Sequence, residues 1–280
     1  MALADYPQAA QAFRRELESD REHHGAANNL MPALLGARQY EAALEAADTL
    51  LRDRRWHVPA LAFKSVALAE LGRAAALSAL VDQSLVKGEA IAPPGMSVSD
   101  FNRNLARAFA AEKTLKFAPP AHATRQGWHS EDLSESASAS VRTLNELIRE
   151  CVKRRMAEGQ HSGHPFFEAC PQTYRLYAWT VVMEKGGHQI PHIHGLSWLS
   201  GVYYVEVPND VQDSDPEQKG WLSFGRAEER WHRPETQTPD LNICPQPGML
   251  VTFPSYFWHG TRPITTSRRR ISYAFDIIPT

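Results

Sequence analysis

Near residue 172 the apolar pattern of this 280-residue chain changes period, from three and four to two. That single switch constrains the fold more than any motif. Helices gathered before strands give an α+β arrangement, whereas alternation of the two would give a parallel α/β sheet. On the helical side, Ala, Leu, Arg, Glu and Gln dominate residues 1–117. YEAALEAADTLL puts Tyr40, Leu44, Ala47 and Leu51 on one face, and ALAFKSVALAEL spaces Leu61, Val66, Leu68 and Leu71 less regularly but still as a helix would. On the other side, YRLYAWTVVMEKG, WLSGVYYVEVP, GWLSFGR, GMLVTFP and RRRISYAFDII are β-branched, aromatic and bounded by turn residues. Many short strands with no helical pattern between them predict a sandwich, a barrel or a double-stranded β-helix of the jelly-roll or cupin-like kind.

The expected organisation has three parts. ARQYEAAL (37–44) and ELGRAAAL (70–77) resemble each other at a spacing of 33, near the ~34-residue period of tetratricopeptide hairpins, so 1–117 reads as a helical, tetratricopeptide-like region. Residues 118–165 read as a connector, with Pro119-Pro120 and SESASAS, followed by one amphipathic helix whose stripe is Val141, Leu144, Ile148, Cys151, Val152 and Met156, with Gly159 as its stop. Residues 166–280 form the β region. Cys151 lies on the packing stripe and reads as inert core sulfur.

Composition excludes several classes. Thirty Lys+Arg against thirty-two Asp+Glu leave a formal charge of -2, which argues against a broad nucleic-acid surface. Three cysteines, far apart and without a CxxC pair, support neither a disulfide framework nor a zinc ribbon and fit a reducing cytosol. No apolar stretch approaches the ~20 residues that span a bilayer, and the N-terminus lacks the pattern of a signal peptide. A cytoplasmic protein without membrane attachment is expected.

Seven of the twelve histidines fall in the last 120 residues, and three have the spacing of metal ligands. His192 and His194, in IPHIHGLSW, stand two apart before a strand, where residues i and i+2 point to the same side. His259 follows the strand GMLVTFP. Three imidazoles suit Fe, Zn, Cu or Ni and leave coordination positions open. Further on, RRRISYAFDI alternates: Arg270 and Ser272 share one face, while Ile271, Tyr273 and Phe275 take the other. An inward guanidinium beside a hydroxyl is a suitable anchor for a carboxylate, through two parallel charge-assisted bonds. Arg268 and Arg269 read as solvated. Tyr177, Trp179, Tyr203, Tyr204, Trp221 and Trp258 are candidates to line the pocket.

HIHGLSWLSGVYYVEVP, PGMLVTFPSYFWHGTRP and RISYAFDI together resemble the 2-oxoglutarate- and Fe(II)-dependent oxygenases, in particular a bacterial branch with tetratricopeptide-like helices upstream. The resemblance covers roughly residues 172–280. It implies a double-stranded β-helix, Fe(II), 2-oxoglutarate and O2, and release of succinate and CO2 as an unactivated C–H bond is oxidised, most often by hydroxylation. It implies iron ligation by His192 and His259, and binding of the distal carboxylate of 2-oxoglutarate by Arg270 and Ser272, with Tyr204 as a phenol donor. The chain departs from the wider family at His194, where Asp or Glu is usual. Either all three histidines bind iron, or two do and water or substrate completes the site; Glu184 and Glu206 would need an unusual geometry to replace the carboxylate. The substrate expected is a small molecule, or a peptide or protein selected by the helices.

Two other readings stand beside this one. Gly186, the HxH and Pro254 also resemble cupin motifs, although Trp198 and Leu199 occupy the positions of the cupin glutamate. Alternatively, the chain is a peptide-binding module whose oxygenase region is inactive.

Overall fold

The computed structural model describes residues 5–20, 23–120, 122–158 and 163–280. Five helices come first: α1 (Tyr6–Ser19), α2 (His24–Gly36), α3 (Tyr40–Asp53), α4 (Val58–Glu70) and α5 (Ala74–Leu80). Each packs on the next in chain order. Their starts carry ordinary signals. Asp5 accepts from the Gln8 amide to cap α1, and the His57 ring accepts from the Ala60 amide to cap α4, which has a proline in its first turn. After β1 (Lys87–Ala90), Ser97 caps α6 (Val98–Ala110) through the Asp100 amide. Strands β2 (Lys116–Phe117) and β3 (Thr124–His129) precede α7 (Ala139–Ala157), whose expected stripe is buried at Val141, Leu144, Ile148, Cys151 and Val152 and half-buried at Met156. Its predicted stop, Gly159, lies outside the described residues.

A short α8 (Pro165–Glu168) leads into β4 (Tyr174–Gln189), β5 (Leu199–Glu206), β6 (Leu222–Phe224), β7 (Leu241–Ile243), β8 (Met249–Pro254), β9 (His259–Thr261) and β10 (Arg270–Pro279). One sheet has the order β1-β8-β5-β10-β4-β3-β2 and a second the order β7-β6-β9. All strand pairs are antiparallel. The class is therefore α+β, as the change of period requires.

Three strands escape the expected boundaries: β1 and β2 lie in the stretch read as helical, and β3 lies in the stretch read as a featureless connector. Lys87-Gly88-Glu89-Ala90 is exposed at every position and TRQGWH has no clean alternation, so neither carries a local strand signal. Pairing decides both. β1 covers the edge of β8, and β3 covers β4, whose backbone groups would otherwise have no partner on that side.

Period two then separates the faces of the large sheet. Tyr203 and Tyr273 point toward the helices, where their hydroxyls donate to Asn102 of α6 and Asn145 of α7, at 2.7 and 2.9 Å. Tyr273 also stacks on Phe109. A single core runs through the helices and this face of the sheet. Buried Glu70, at the end of α4, accepts from the His232 ring and the Arg233 guanidinium at 2.9 Å each, which ties the helices to the loop before β7. The opposite face of the large sheet turns toward the small one, and the cavity between them is lined from both.

Candidate metal and anion site

The sheet geometry brings together the three histidines that sequence spacing singled out. His192 pairs with His259 as an isolated antiparallel bridge, each amide donating to the other's carbonyl, at 2.9 and 3.1 Å. Gly260 allows this approach, because a Cβ there would stand 2.8 Å from the Gln189 carbonyl oxygen. His194 is set by its own amide, which donates to the Ser255 carbonyl. Behind it the tight turn ends at Trp198, which is fully buried, stacks on Phe166 with a 4.6 Å centroid separation and donates to the Phe166 carbonyl.

One candidate ligand nitrogen from each of the three rings lies within 4.8 Å of the others. Each Nδ1 meets a group that can only accept: the Ile190 carbonyl for His192 (2.8 Å), the Phe257 carbonyl for His259 (2.9 Å) and the Asp276 carboxylate for His194 (2.8 Å). An acceptor-only partner puts the proton on Nδ1 and leaves the lone pair on Nε2. Nε2 of His194 and of His259 stand 3.2 Å apart. Two lone pairs that close need a positive centre between them, either a metal ion or a proton on His194. Burial holds His192 down to about 3 and His259 well below its ordinary value, so both are neutral near pH 7 and ready to coordinate. Ligands bound at about 2.1 Å from one ion stand about 3 Å apart, a spacing that the His194–His259 pair has.

Arg270, Ser272 and Tyr204 line the same cavity. Arg270 is 1% exposed. It donates to the Gly220 carbonyl at 2.7 Å, touches the Met183 sulfur and reaches the Thr261 hydroxyl at 3.4 Å. No carboxylate faces it among the described residues, its Nε has no partner, and burial lowers its pKa. A guanidinium held this way costs several kcal/mol unless an anion joins it. The cavity could therefore accept a negatively charged ligand. Tyr204 is close enough to feel the charge of Arg270, and burial pushes its phenol up to about 12, so it is protonated and able to donate.

The remaining candidates divide. Trp179 lines the cavity and stacks near His194 at 5.8 Å. Tyr177 packs on Trp179, and Tyr203 faces the helices. Trp258 donates to the Ala62 carbonyl and packs on Phe63, while Trp221 packs in one cluster with Trp179, Val211 and Ile264. Glu184 is exposed and Glu206 pairs with Arg269, so neither stands in for the missing carboxylate. Arg268 and Arg269 are exposed, as expected. Trp198 and Leu199, at the positions of the cupin glutamate, are buried apolar side chains that offer no carboxylate. Cys151 donates to Glu89 and is pushed up to about 12 by burial, in keeping with an inert thiol.

Sequence reasoning missed Asp276 and Thr261. The signal for Asp276 was present: the period that pairs Arg270 with Ser272 continues through Ala274 to Asp276.

Behind Trp179 stacks His129, buried in strand β3, with centroids 5.5 Å apart and its pKa lowered to about 4, chiefly by burial. Between the ordinary value of 6.5 and about 4 the unfolded chain binds a proton that the folded chain refuses. This contribution to stability is complete above pH 6.5 and disappears as the pH falls to about 4. The melting temperature of the metal-free protein is expected to drop across that window, and the drop to be shallower in His129→Gln. An equal slope in both proteins would show that His129 does not contribute.

Three imidazoles whose ring nitrogens converge lie beside a buried guanidinium, an arrangement that could hold one metal ion and an anion in the same cavity. Residues 177–276, about a third of the chain, match the family described as "Putative 2OG-Fe(II) oxygenase". No curated protein matches the chain. Solved structures similar to it include a Pseudomonas putida prolyl-4-hydroxylase, with 16% identity, 74% of this chain and 98% of that one covered, and a TM-score of 0.49. A Trichoplax adhaerens prolyl hydroxylase, solved with a hypoxia inducible factor peptide fragment, has 13% identity, coverage of 74% and 89%, and a TM-score of 0.46. HygX from Streptomyces hygroscopicus, with nickel and 2-oxoglutarate bound, has 14% identity, coverage of 72% and 87%, and a TM-score of 0.43. Among the described residues no helix is long and apolar enough to cross a membrane.

Proposed function

We propose that His192, His194 and His259 hold Fe(II) through their Nε2 atoms, that Arg270, Ser272 and Tyr204 hold the distal carboxylate of 2-oxoglutarate, and that the enzyme hydroxylates an unactivated C–H bond. The observation that carries this reading is the pairing of three tautomer-locked imidazoles with a buried guanidinium that lacks an anion, in one cavity. The two facing sheets would then be the halves of a double-stranded β-helix.

When bound, iron and 2-oxoglutarate supply the O2-dependent oxidation, with succinate and CO2 as the products of the cosubstrate. The chain's own residues bind, orient and shield. The Ile190 and Phe257 carbonyls and the Asp276 carboxylate keep each Nε2 unprotonated and aimed inward. Arg270 fixes one end of the cosubstrate by charge, and Tyr204 adds a proton donor. Phe253, Phe224 and Trp179 surround the imidazoles with rings and limit access of water to the oxidising centre. A groove lined by Gln189, Pro191, Phe224, Arg226 and Thr236 shares Gln189 and Thr261 with the inner cavity and provides a path for the substrate. The packed helix pairs α1–α2 and α3–α4 would form a tetratricopeptide-like surface that selects a peptide or protein, with a small molecule as the other substrate class.

The test is release of CO2 from C1 of 2-oxoglutarate and formation of succinate, measured with Fe(II) and O2 across a panel of peptides and small molecules. Turnover that requires both metal and O2 is expected. Absence of metal-dependent 2-oxoglutarate binding would overturn the reading.

A further inference from the structure

The site holds three neutral ligands, so it lacks the negative charge that a coordinating carboxylate would bring to a divalent ion. We propose that Asp276 supplies this charge from one shell further out, through His194, as a positioning residue for the metal. The inference rests on the reading of His194 as a ligand.

Four observations carry it. Asp276 Oδ2 accepts from His194 Nδ1 at 2.8 Å, so the carboxylate sits directly behind the imidazole and opposite the nitrogen that faces the other histidines. The carboxylate is fixed from its other side, because Ser200 donates to Oδ1 at 2.6 Å and is in turn 2.8 Å from the Ser255 hydroxyl. Asp276 is 7% exposed and has no Arg or Lys partner among the described residues, so its charge is not spent on an ion pair with either. Its place is also dictated by the strand that carries the anion pocket: Arg270, Ser272, Ala274 and Asp276 alternate along β10, with the guanidinium at one end and the carboxylate at the other. A buried carboxylate bonded to the far nitrogen of an imidazole makes that imidazole a stronger donor and fixes its ring plane. His192 and His259 have only backbone carbonyls in this position. His194, the residue that replaces the usual carboxylate, alone among the three has one behind it.

The test compares metal binding in the whole protein, with Co(II) as the probe, by calorimetry in the absence of 2-oxoglutarate. Asp276→Asn keeps an oxygen toward His194 and an amide toward Ser200 but removes the charge. Its Co(II) affinity is expected to fall about 10- to 100-fold with an unchanged melting temperature. Ser200→Ala keeps the charge and is expected to stay within about threefold of the unsubstituted protein. His194→Ala is expected to weaken Co(II) strongly, and adding Asp276→Asn to it to cost nothing more, because the charge acts through that ring. Unchanged affinity in folded Asp276→Asn, a loss in Ser200→Ala as large as that in Asp276→Asn, or full additivity in the double variant would overturn the proposal. Unchanged affinity in His194→Ala would instead overturn the three-histidine reading on which it rests. Should Asp276→Asn fail to fold, Asp276→Ala compared in the presence and absence of His194 gives the same coupling.

Discussion

Arg270→Met is expected to abolish 2-oxoglutarate turnover while leaving metal binding intact and the metal-free protein no less stable. The physical reason is the state of the guanidinium before any ligand arrives. It is buried, it satisfies itself on one carbonyl, one sulfur and one distant hydroxyl, and its Nε has no partner. A buried charge without an opposite charge destabilises the fold, and an apolar side chain of similar volume removes that cost. The same substitution leaves the incoming carboxylate with no counter-charge, a loss of about 2–5 kcal/mol, or roughly 30- to 4,000-fold in apparent affinity for 2-oxoglutarate. Thermal shift makes the two effects separable. 2-Oxoglutarate with a redox-inert divalent metal should raise the melting temperature of the unsubstituted protein and leave that of Arg270→Met where it was. A variant that still responds to 2-oxoglutarate would place the anion site elsewhere.

The second large effect is expected from the double substitution His192→Ala, His259→Ala. These two residues form the backbone bridge that joins the chain after β4 to β9, and both offer Nε2 to the same point. Their amides and carbonyls keep the bridge after truncation, so the fold should persist while two of three ligands vanish. Metal affinity should fall by more than the roughly 10- to 100-fold that losing a supporting residue costs, to the point where no stoichiometric binding is detected. Calorimetric titration with Co(II) or Zn(II) checks it. Metal retained in full by the double variant would show that the triad is a hydrogen-bonded histidine cluster and not a metal site.

The legible part of this molecule is the part governed by local periodicity. Alternation along RISYAFDI placed Arg270 and Ser272 opposite Ile271, Tyr273 and Phe275, and the structure keeps that division: Arg270, Ser272 and Ala274 line the cavity while Tyr273 reaches Asn145 of α7. The HxH spacing put two imidazoles on one side of an extended segment, and the stripe of α7 gave its buried face. The illegible part depends on partners distant in the chain. β1 and β3 have no apolar alternation, and they are strands because β8 and β4 offer unpaired edges. Tyr204 was singled out as the phenol donor and does line the cavity, but composition alone does not separate it from Tyr203 against α6, because both lie on a strand buried on both faces.

The missing carboxylate shows the same division most sharply. By itself the sequence determined that His194 stands where the related oxygenases usually carry Asp or Glu, since a residue's chemical type is written in the sequence; that Glu184 is exposed and Glu206 pairs with Arg269 was decided by the structure. Only the tertiary structure decided that a carboxylate is present after all, 82 positions further on and behind the imidazole rather than on the metal side. The reason is geometric. β10 runs antiparallel to β5, with Asp276 opposite Ser200, and that register carries the last polar residue of its inward face to the turn that holds His194. No local pattern encodes a meeting set by the register of two strands.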